Sequence, residues 1–511
     1  MTTSTSNAQA GGQMRADLVA ASGEAPPSGV ASSAGEVPRT IWSRFIILML
    51  CLAVVTTTLA FGTVHAWSLA AFQLSASLVF ALWMMDAWRT RALRVSRNAL
   101  QLPLLGLFAV GLIQLLPLGG TGTPPALSSD LYATRMVLVQ LAGLLVYFAA
   151  ALAFIDSPRR LRLVARLVVI FGFLLAVYGL MQHFINPQTI FWLREPKQAQ
   201  PFGPYINRHH FAGYMELTLA MPLGLLFAGA VGRERIPLYA FASAIMAIAL
   251  VLTNSRGGML SMVCEITFLT LVAATGVARR ARDEEEGSRG GRARAALIRI
   301  GLGFSLIVAV VFGALYFGGE DALSRLVGTV NSDDPTTGRA HFWRGTVGII
   351  KDHPLLGTGL GSFGSVYPLY DTANGTYRLE QAHNDYLQIL SDAGLVGGLL
   401  GLAFVVTLFW VALRRMRSHD RFRRGVALGA LGGCVGALVH SFFDFTLHTT
   451  ANALLLLVLA ALATADGRVE ERDEGSRRHR RRRRRRHEGS DARDDVETHA
   501  GTAPEKEGAA A

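Results

Sequence analysis

Long apolar runs separated by short polar segments are the dominant pattern of this chain. The runs are roughly 18–23 residues long, the length that an α-helix needs to cross a bilayer core of about 30 Å. Arginine and lysine lie near the ends of the runs and between them, as expected for membrane spans. We therefore predict an all-α, polytopic integral membrane protein with about twelve transmembrane helices. The predicted spans are residues 41–62, 66–87, 99–117, 134–155, 161–182, 211–231, 236–254, 258–278, 298–318, 393–413, 425–441 and 449–466.

The segments outside the spans differ greatly in length. Residues 1–40 are rich in Ala, Ser, Gly and Thr without a signal-peptide pattern, which predicts a disordered N-terminal tail. Residues 319–392 form a segment too long for a simple connection, and it divides the helices into blocks at 41–318 and 393–466. Residues 467–511 are charge-dense, which predicts a disordered tail, and their arginine run is suited to anionic lipid headgroups.

Composition agrees with a membrane protein and excludes a single soluble domain. The chain has 511 residues, of which 51% are hydrophobic and 17% are charged, whereas soluble domains contain about 25% charged residues. Cys51, Cys264 and Cys434 all lie in apolar runs, so they predict neither a disulfide framework nor a metal site. The net charge of +12 lies largely in loops and in the C-terminal tail. It therefore indicates membrane topology rather than nucleic-acid binding.

Arginine residues are concentrated in alternate loops between the predicted spans. The short loops at 118–133 and 442–448, on the opposite side, contain no lysine or arginine. Loops rich in positive charge remain in the cytoplasm. We therefore predict an inner-membrane protein with both termini in the cytoplasm and with residues 319–392 as a large periplasmic loop.

Ionisable residues on the side opposite the arginine-rich loops are few, so each is a candidate for function. The tight turn at 253–258 holds Arg256 between two spans. A guanidinium in this position needs an anionic partner, and its planar set of donors fits phosphate oxygens. A structural ion pair or a contact with lipid headgroups is the alternative.

The long loop contains a second group of candidates. Arg339 and Trp343 are four residues apart, so on a helix they share a face. Gly359, Gly361 and Gly364 form a GxGxxG string. No βαβ unit surrounds this string, so we predict tight turns there rather than a dinucleotide site.

His383 is the third candidate, because it lies where the long loop re-enters the membrane. Histidine is suited to proton transfer near neutral pH. A single histidine is more often structural, and the residues alone leave both roles open. Glu216 and Glu265 lie inside predicted spans, where a carboxylate needs a partner. We predict structural hydrogen bonds for both, with a position in a substrate groove as the alternative.

In combination, these segments resemble the bacterial O-antigen ligase/polymerase superfamily, which consists of membrane glycosyltransferases that use undecaprenyl-diphosphate-linked sugars. The resemblance covers roughly residues 180–465. It rests on Ser-Arg-Gly at 255–257, Arg339 with Trp343, His-Pro and Gly-x-Gly at 353–359, His383-Asn384 with Gly394-x-x-Gly397, and the stretch 207–214. In that last stretch, His209 stands where the family is expected to have asparagine.

The resemblance implies a mechanism and roles for particular residues. His383 is expected to orient or deprotonate an acceptor hydroxyl, while Arg256 and Arg339 grip the diphosphate leaving group. The residues expected to contact substrate are Arg208, Asn384, Trp343 and Tyr386. The implied reaction is an inverting glycosyl transfer that uses neither a metal nor another cofactor.

The resemblance also implies partners, and it leaves alternatives open. The donor would be an undecaprenyl-diphosphate-linked glycan, the acceptor a glycan or lipid A core, and a polysaccharide assembly complex is a further candidate partner. We favour a polymerase of O-antigen or exopolysaccharide repeat units over an O-antigen ligase or a protein O-oligosaccharyltransferase. A transporter or lipid-glycan flippase is the competing class, but it predicts charged residues along a path through the membrane. Most ionisable groups here instead cluster at one membrane face.

Overall fold

A computed structural model describes residues 40–117, 126–197, 199–283, 301, 303–305, 308, 339–372 and 378–465. The regular secondary structure of this part of the chain is helical, which confirms the all-α prediction. The α-helices are α1 (Ile41–Leu59), α2 (Ala66–Thr90), α3 (Gln101–Gln114), α4 (Leu131–Phe154), α5 (Pro158–Ile185), α6 (Arg208–Phe227), α7 (Ile236–Leu252), α8 (Arg256–Asp283), α9 (Arg339–Asp352), α10 (Phe363–Val366), α11 (Asp385–Arg415), α12 (Arg421–His440) and α13 (Thr450–Thr464). Short 3₁₀ turns lie at Arg233–Arg235, Tyr367–Leu369 and Thr446–His448.

Eight helices in the described ranges are long and apolar enough to cross a membrane, namely α1, α2, α4, α5, α7 with its preceding turn, α8, α11 and α12. Two shorter apolar helices, α3 and α13, pack among them. Together with α6, these helices coincide with every predicted span except the one at 298–318, most of which lies outside the described residues. The chain is therefore a polytopic membrane protein.

Helix α6 is enclosed by other helices. Almost all of its residues are buried, and it packs against α5, α7, α8, α12 and α13. Small residues permit this close packing, since a Cβ added at Gly224 would lie 2.3 Å from Cα of Gly429 in α12. A helix surrounded by protein needs no lipid-facing surface. Because α6 is enclosed by protein, it can contain Glu216 and a polar first turn without exposing them to lipid.

The arginine-rich loops meet at one end of the bundle. Arg94 forms ion pairs with Asp86 at 3.0 Å and with Asp156 at 3.5 Å. Arg160, at the start of α5, binds the same Asp156 at 3.2 Å. The buried guanidinium of Arg423 donates to the last carbonyls of α13, where the dipole of the helix favours a cation. Loops that the charge pattern assigns to one side of the membrane therefore lie at one end of the structure.

The other ends of the helices, with the loops at 60–65, 126–130, 186–207, 253–255 and 441–449, form what we call the site end. The loops and the neighbouring helix ends contact each other directly. The backbone N–H of Ala451, in the first turn of α13, donates to the carbonyl of Gly62, 3.3 Å away. Residues 339–372 and 378–384, which we call the covering segment, cover part of this end, and the N–H of Ser129 donates to the carbonyl of Thr358 over 2.8 Å.

Helix α11 is broken at Gly394, whose φ of +63° interrupts the helix. Residues of the covering segment supply the missing backbone partners. The N–H of Leu395 donates to the carbonyl of Pro354 at 2.8 Å, and the N–H of Thr358 donates to the carbonyl of Ser391 at 2.9 Å. Backbone groups freed within a membrane-spanning helix need such partners, because lipid offers none.

Glycines make this interlock possible. A Cβ added at Gly394 would lie 2.3 Å from the carbonyl carbon of Leu355, so the two backbones are in direct contact. Gly359 and Gly361 have φ values of +118° and +78°, which confirms the tight turns predicted for the GxGxxG string. The glycines of the His-Pro and Gly-x-Gly segment and those of the Gly-x-x-Gly motif therefore allow the close backbone contact that supports the site.

The variant Gly394→Ala is expected to lower the Tm of the detergent-solubilised protein. Gly394, with φ +63° and ψ −162°, has a backbone conformation that is essentially restricted to glycine and costs an L-residue about 1–3 kcal/mol, and the collision with Leu355 adds to that cost. Gly401→Ala in the same helix is the matched control, because its added methyl has no neighbouring atom within 4 Å. Differential scanning fluorimetry measures both variants, and equal Tm values would contradict the interlock.

Candidate functional site

The start of α11 is anchored on the loop between α12 and α13. Asn384 caps α11, because its side-chain oxygen accepts from the N–H groups of Tyr386 and Leu387, both at 3.0 Å. Its amide nitrogen donates to the carbonyl of Phe442 at 3.2 Å. The hydroxyl of Tyr386 donates to the carbonyl of Leu438 at 2.6 Å. These bonds hold the residue just before Asn384 at a defined place.

Asp385 adds a charged contact to the same anchor. Its carboxylate accepts from the hydroxyl of Ser441 at 2.8 Å and lies 3.0 Å from Nδ1 of His448. Its backbone N–H donates to the carbonyl of Ser441, also at 2.8 Å. The loop at 441–449 is therefore bound by both backbone and side chain.

The carboxylate of Asp444 joins two of the predicted catalytic residues. Nδ1 of His383 lies 3.3 Å from one of its oxygens, and a terminal nitrogen of Arg339 lies 3.6 Å from the other. The side chain of Asp444 is only 2% exposed, whereas those of His383 and Arg339 are 30% and 25% exposed. A buried anion thus holds two accessible groups side by side.

The imidazole of His383 is also fixed by its backbone and by aromatic rings. Its φ of +50° lies in the left-handed region, which residues other than glycine rarely adopt and which is often found at functional sites. The ring of Phe445 packs edge-on against it with the centroids 4.8 Å apart, and Phe342 lies at 6.3 Å. These contacts restrict the ring to a small range of orientations.

Arg256 is the first residue of α8 and follows a turn that packs on the Asp444 loop. A Cβ added at Gly257 would lie 2.9 Å from Cβ of Phe443, so no side chain separates the two segments. On its other side, the hydroxyl of Ser255 lies 2.9 Å from Nδ1 of His209 in α6. The turn is therefore held between α6 and α12.

Arg208 is the first residue of α6, next to His209. His209 interacts electrostatically with Asp444, Arg208 and Arg339, so these four side chains share one region. The turn that carries Arg256 is bonded to His209. The structure thus places Arg208, Arg339 and His383 near Asp444, and it places Arg256 on the turn that is bonded to His209.

The remaining predicted contact residues have different surroundings. Asn384 and Tyr386 use their polar atoms in bonds within the protein. Trp343 lies one turn after Arg339 on α9, and its buried Nε1 has no hydrogen-bond partner among the described residues. Contact with substrate stays a prediction for these residues and for Arg208.

A buried polar group lies below the site. Nδ1 of His440, the last residue of α12, lies 2.6 Å from a carboxylate oxygen of Glu216 in α6. This pair confirms the hydrogen bond between helices predicted for Glu216. Within the described ranges, Glu265 is fully buried and its oxygens have no hydrogen-bond partner.

Asp444 was not singled out in the sequence, although the rest of the site depends on it. Burial disfavours its charged form, but the hydrogen bond from His383 and the nearby histidine charges outweigh burial and hold the pKa of Asp444 well below its usual range. The carboxylate is therefore ionised at physiological pH. The signal in the sequence was an acidic residue between two phenylalanines in a loop without lysine or arginine.

Comparison with known proteins covers the part of the chain that contains several of these residues. A family model described as O-antigen ligase matches residues 241–402, a range that includes Arg256, Arg339 and His383. Over this range, the chain is similar to the O-antigen ligase family. Arg208 and Asp444 lie outside the matched range. The fold nevertheless places both beside the residues inside it.

One curated relative adds to the family match. The exopolysaccharide production protein ExoQ of Rhizobium meliloti (strain 1021) is 27% identical to this chain over 155 residues. The aligned part is 28% of this chain and 34% of ExoQ. The similarity thus spans about a third of that relative's length.

The pair of His448 and Asp385 predicts a pH-dependent contribution to stability. Partial loss of hydration favours neutral imidazole, but the hydrogen bond to Asp385 and the charge of Asp385 outweigh this effect and raise the pKa of His448. Because the folded protein binds this proton more tightly, the stabilisation is complete below about pH 6.5, the ordinary value for histidine. It is lost as the pH rises through the raised value.

We therefore expect the Tm difference between wild type and His448→Gln to be largest near pH 6 and to narrow towards pH 9. In an Asp385→Asn background, His448→Gln should show no such narrowing, since the partner charge is already gone. Thermal melts at both pH values measure the difference. A Tm difference that stays constant or widens with pH contradicts the pairing.

Proposed function

We propose that this protein is a membrane glycosyltransferase that moves a glycan from an undecaprenyl diphosphate carrier to an acceptor hydroxyl. The observation that carries the proposal is the meeting of His383 and Arg339 on the buried carboxylate of Asp444. Arg256 and Arg208 lie at the same end of the bundle. The match to the O-antigen ligase model and the similarity to an exopolysaccharide production protein support the same class of reaction.

In this proposal, His383 is the general base. Asp444 binds Nδ1, which leaves Nε2 of the partly exposed ring for the acceptor. Nε2 takes the hydroxyl proton as the acceptor oxygen attacks the anomeric carbon, and the bond from that carbon to the diphosphate breaks. Attack opposite the leaving group inverts the configuration. Asp444 orients the ring and stabilises the imidazolium that forms.

The arginines stabilise the departing diphosphate. Negative charge accumulates on this group as the glycosidic bond breaks, and fixed cations at that place lower the barrier. Guanidinium groups suit the task because they bind two phosphate oxygens at once. Arg256 and Arg339 fill this role, with Arg208 as a further contact. Because these cations supply the required charge, the proposed reaction uses no metal and no other cofactor.

The proposed orientation of the protein in the membrane follows from the charges at the two ends of the helix bundle. The arginine-rich end contains Arg94, Arg160 and Arg423, and such ends face the cytoplasm. The site end then faces the periplasm from the inner membrane, and both termini are cytoplasmic. The donor's polyprenyl tail remains among membrane lipids while its diphosphate reaches the arginines. The proposed function involves no nucleic-acid partner.

A polymerase of repeat units is the preferred form of this activity. The relative ExoQ is named for exopolysaccharide production, which favours a growing glycan as acceptor. The description of the family model favours a ligase, for which the acceptor would be lipid A core. The two forms share the donor and differ in the acceptor, and either form can operate within a polysaccharide assembly complex.

Reconstitution tests the proposal. Purified protein in liposomes is supplied with a lipid-diphosphate-linked glycan, a chelator and either more donor or lipid A core. A ladder of products that differ by one repeat unit supports the polymerase. A single transfer to lipid A core supports the ligase. Movement of the intact lipid-linked glycan without a new glycosidic bond contradicts both.

In the same assay, His383→Ala is expected to lower the transfer rate by about 100-fold or more, the range for loss of a general base. The exposed His419, at the arginine-rich end, provides the matched control His419→Ala, which should retain the wild-type rate. Initial rates at saturating donor measure both variants. A fully active, folded His383→Ala protein would rule out the assigned base.

A further inference from the structure

His209 connects the two helix starts that carry Arg208 and Arg256. Its Nδ1 lies 2.9 Å from the hydroxyl oxygen of Ser255, the residue immediately before α8. The same oxygen accepts from the backbone N–H of Gly258 at 3.2 Å, so Ser255 caps α8. A shift of His209 would therefore move the cap, and with it the first residue of the helix, Arg256.

The hydroxyl of Ser255 can take part in both hydrogen bonds at once. A serine hydroxyl has one proton and two lone pairs. Its oxygen accepts from the N–H of Gly258, and its proton or its second lone pair is available to Nδ1 of His209. The link thus requires a hydrogen-bonding atom at the Nδ1 position of residue 209.

The turn that contains Ser255 is confined on its other side, so one hydrogen bond can set its position. A Cβ added at Gly257 would lie 3.0 Å from a ring carbon of His440 and 2.9 Å from Cβ of Phe443. Asn254 has a φ of +53°, a left-handed conformation that the surrounding structure must stabilise. The bond from His209 acts on a turn that is already narrowly constrained.

We infer that His209 is a positioning residue, which fixes Arg256 against the leaving diphosphate through the hydrogen bond between its Nδ1 and Ser255. The inference rests on the proposed function, because the effect of the position of Arg256 is measured as the rate of that reaction. Misplacement of a positioned group by about 1 Å can lower a rate by about 100-fold. A single bond of this kind therefore has a large kinetic effect.

Two substitutions distinguish a role of Nδ1 from a role of Nε2. Asparagine places an amide atom where Nδ1 lies, whereas glutamine places one near Nε2. His209→Asn is expected to keep kcat/KM for the donor within a few-fold of wild type. His209→Gln is expected to lower it by about 100-fold. Ser255→Ala should cause a similar loss, with little further loss when combined with His209→Gln.

The Arg256→Ala background tests whether His209 acts through Arg256. If it does, His209→Gln lowers kcat/KM no further once the guanidinium is gone, whereas general damage to the fold would add a second loss. His419→Asn serves as the matched control, since His419 is exposed at the arginine-rich end. Melting curves establish that each variant is folded.

Each outcome supports or overturns the inference. An active His209→Asn together with an impaired His209→Gln supports it. Equal activity of the two variants, the reverse order, or an additional loss in the Arg256→Ala background overturns it while the proposed function stands. Absence of glycan transfer by the wild-type protein refutes the proposed function itself, and the inference with it.

Discussion

The buried carboxylate of Asp444 is the constraint on which the site depends. An anion removed from water is costly by several kcal/mol unless it is paired, and Asp444 is buried. Its oxygens contact His383 before α11 and Arg339 on α9. The pairing of one buried charge thus holds the covering segment against the bundle and places a histidine and an arginine next to each other.

The backbone interlock at Gly394 gives that pairing a rigid base. The break in α11 exposes backbone groups within the membrane region, and the turn at 354–359 satisfies them. Asn384 caps the same helix ten residues before the break and binds the carbonyl of Phe442, close to Asp444. Because His383 directly precedes this cap, its position is defined by the helix below it and by the loop beside it.

Local features of the sequence were enough to predict the helices and which of their ends lie on the same side of the membrane. Apolar length predicted the spans, and the arginine pattern predicted which loops lie together, as the contacts of Arg94 and Arg160 at one end confirm. The buried position of α6 did not follow from its own sequence. It depends on glycines in α12 that admit a close neighbour, a property of two helices together.

The site was predictable where its residues belong to recognisable motifs. Arg256, Arg339 and His383 were predicted as a group, and the structure places them on adjoining segments. Asp444 and the link from His209 to Ser255 were missed, because each depends on contacts between residues far apart in the chain. A lone carboxylate in a short loop gives no local sign that it faces a histidine 61 residues earlier.

The most direct test of this account is glycan transfer by Asp444→Asn, which keeps the shape of the side chain and removes its charge. We expect kcat/KM to fall by about 100-fold or more, because Asn no longer stabilises the imidazolium or pairs with Arg339. Asp352→Asn is the matched control, since Asp352 bonds Tyr370 within the same covering segment and should leave transfer unchanged. Full activity of a folded Asp444→Asn protein would contradict the account.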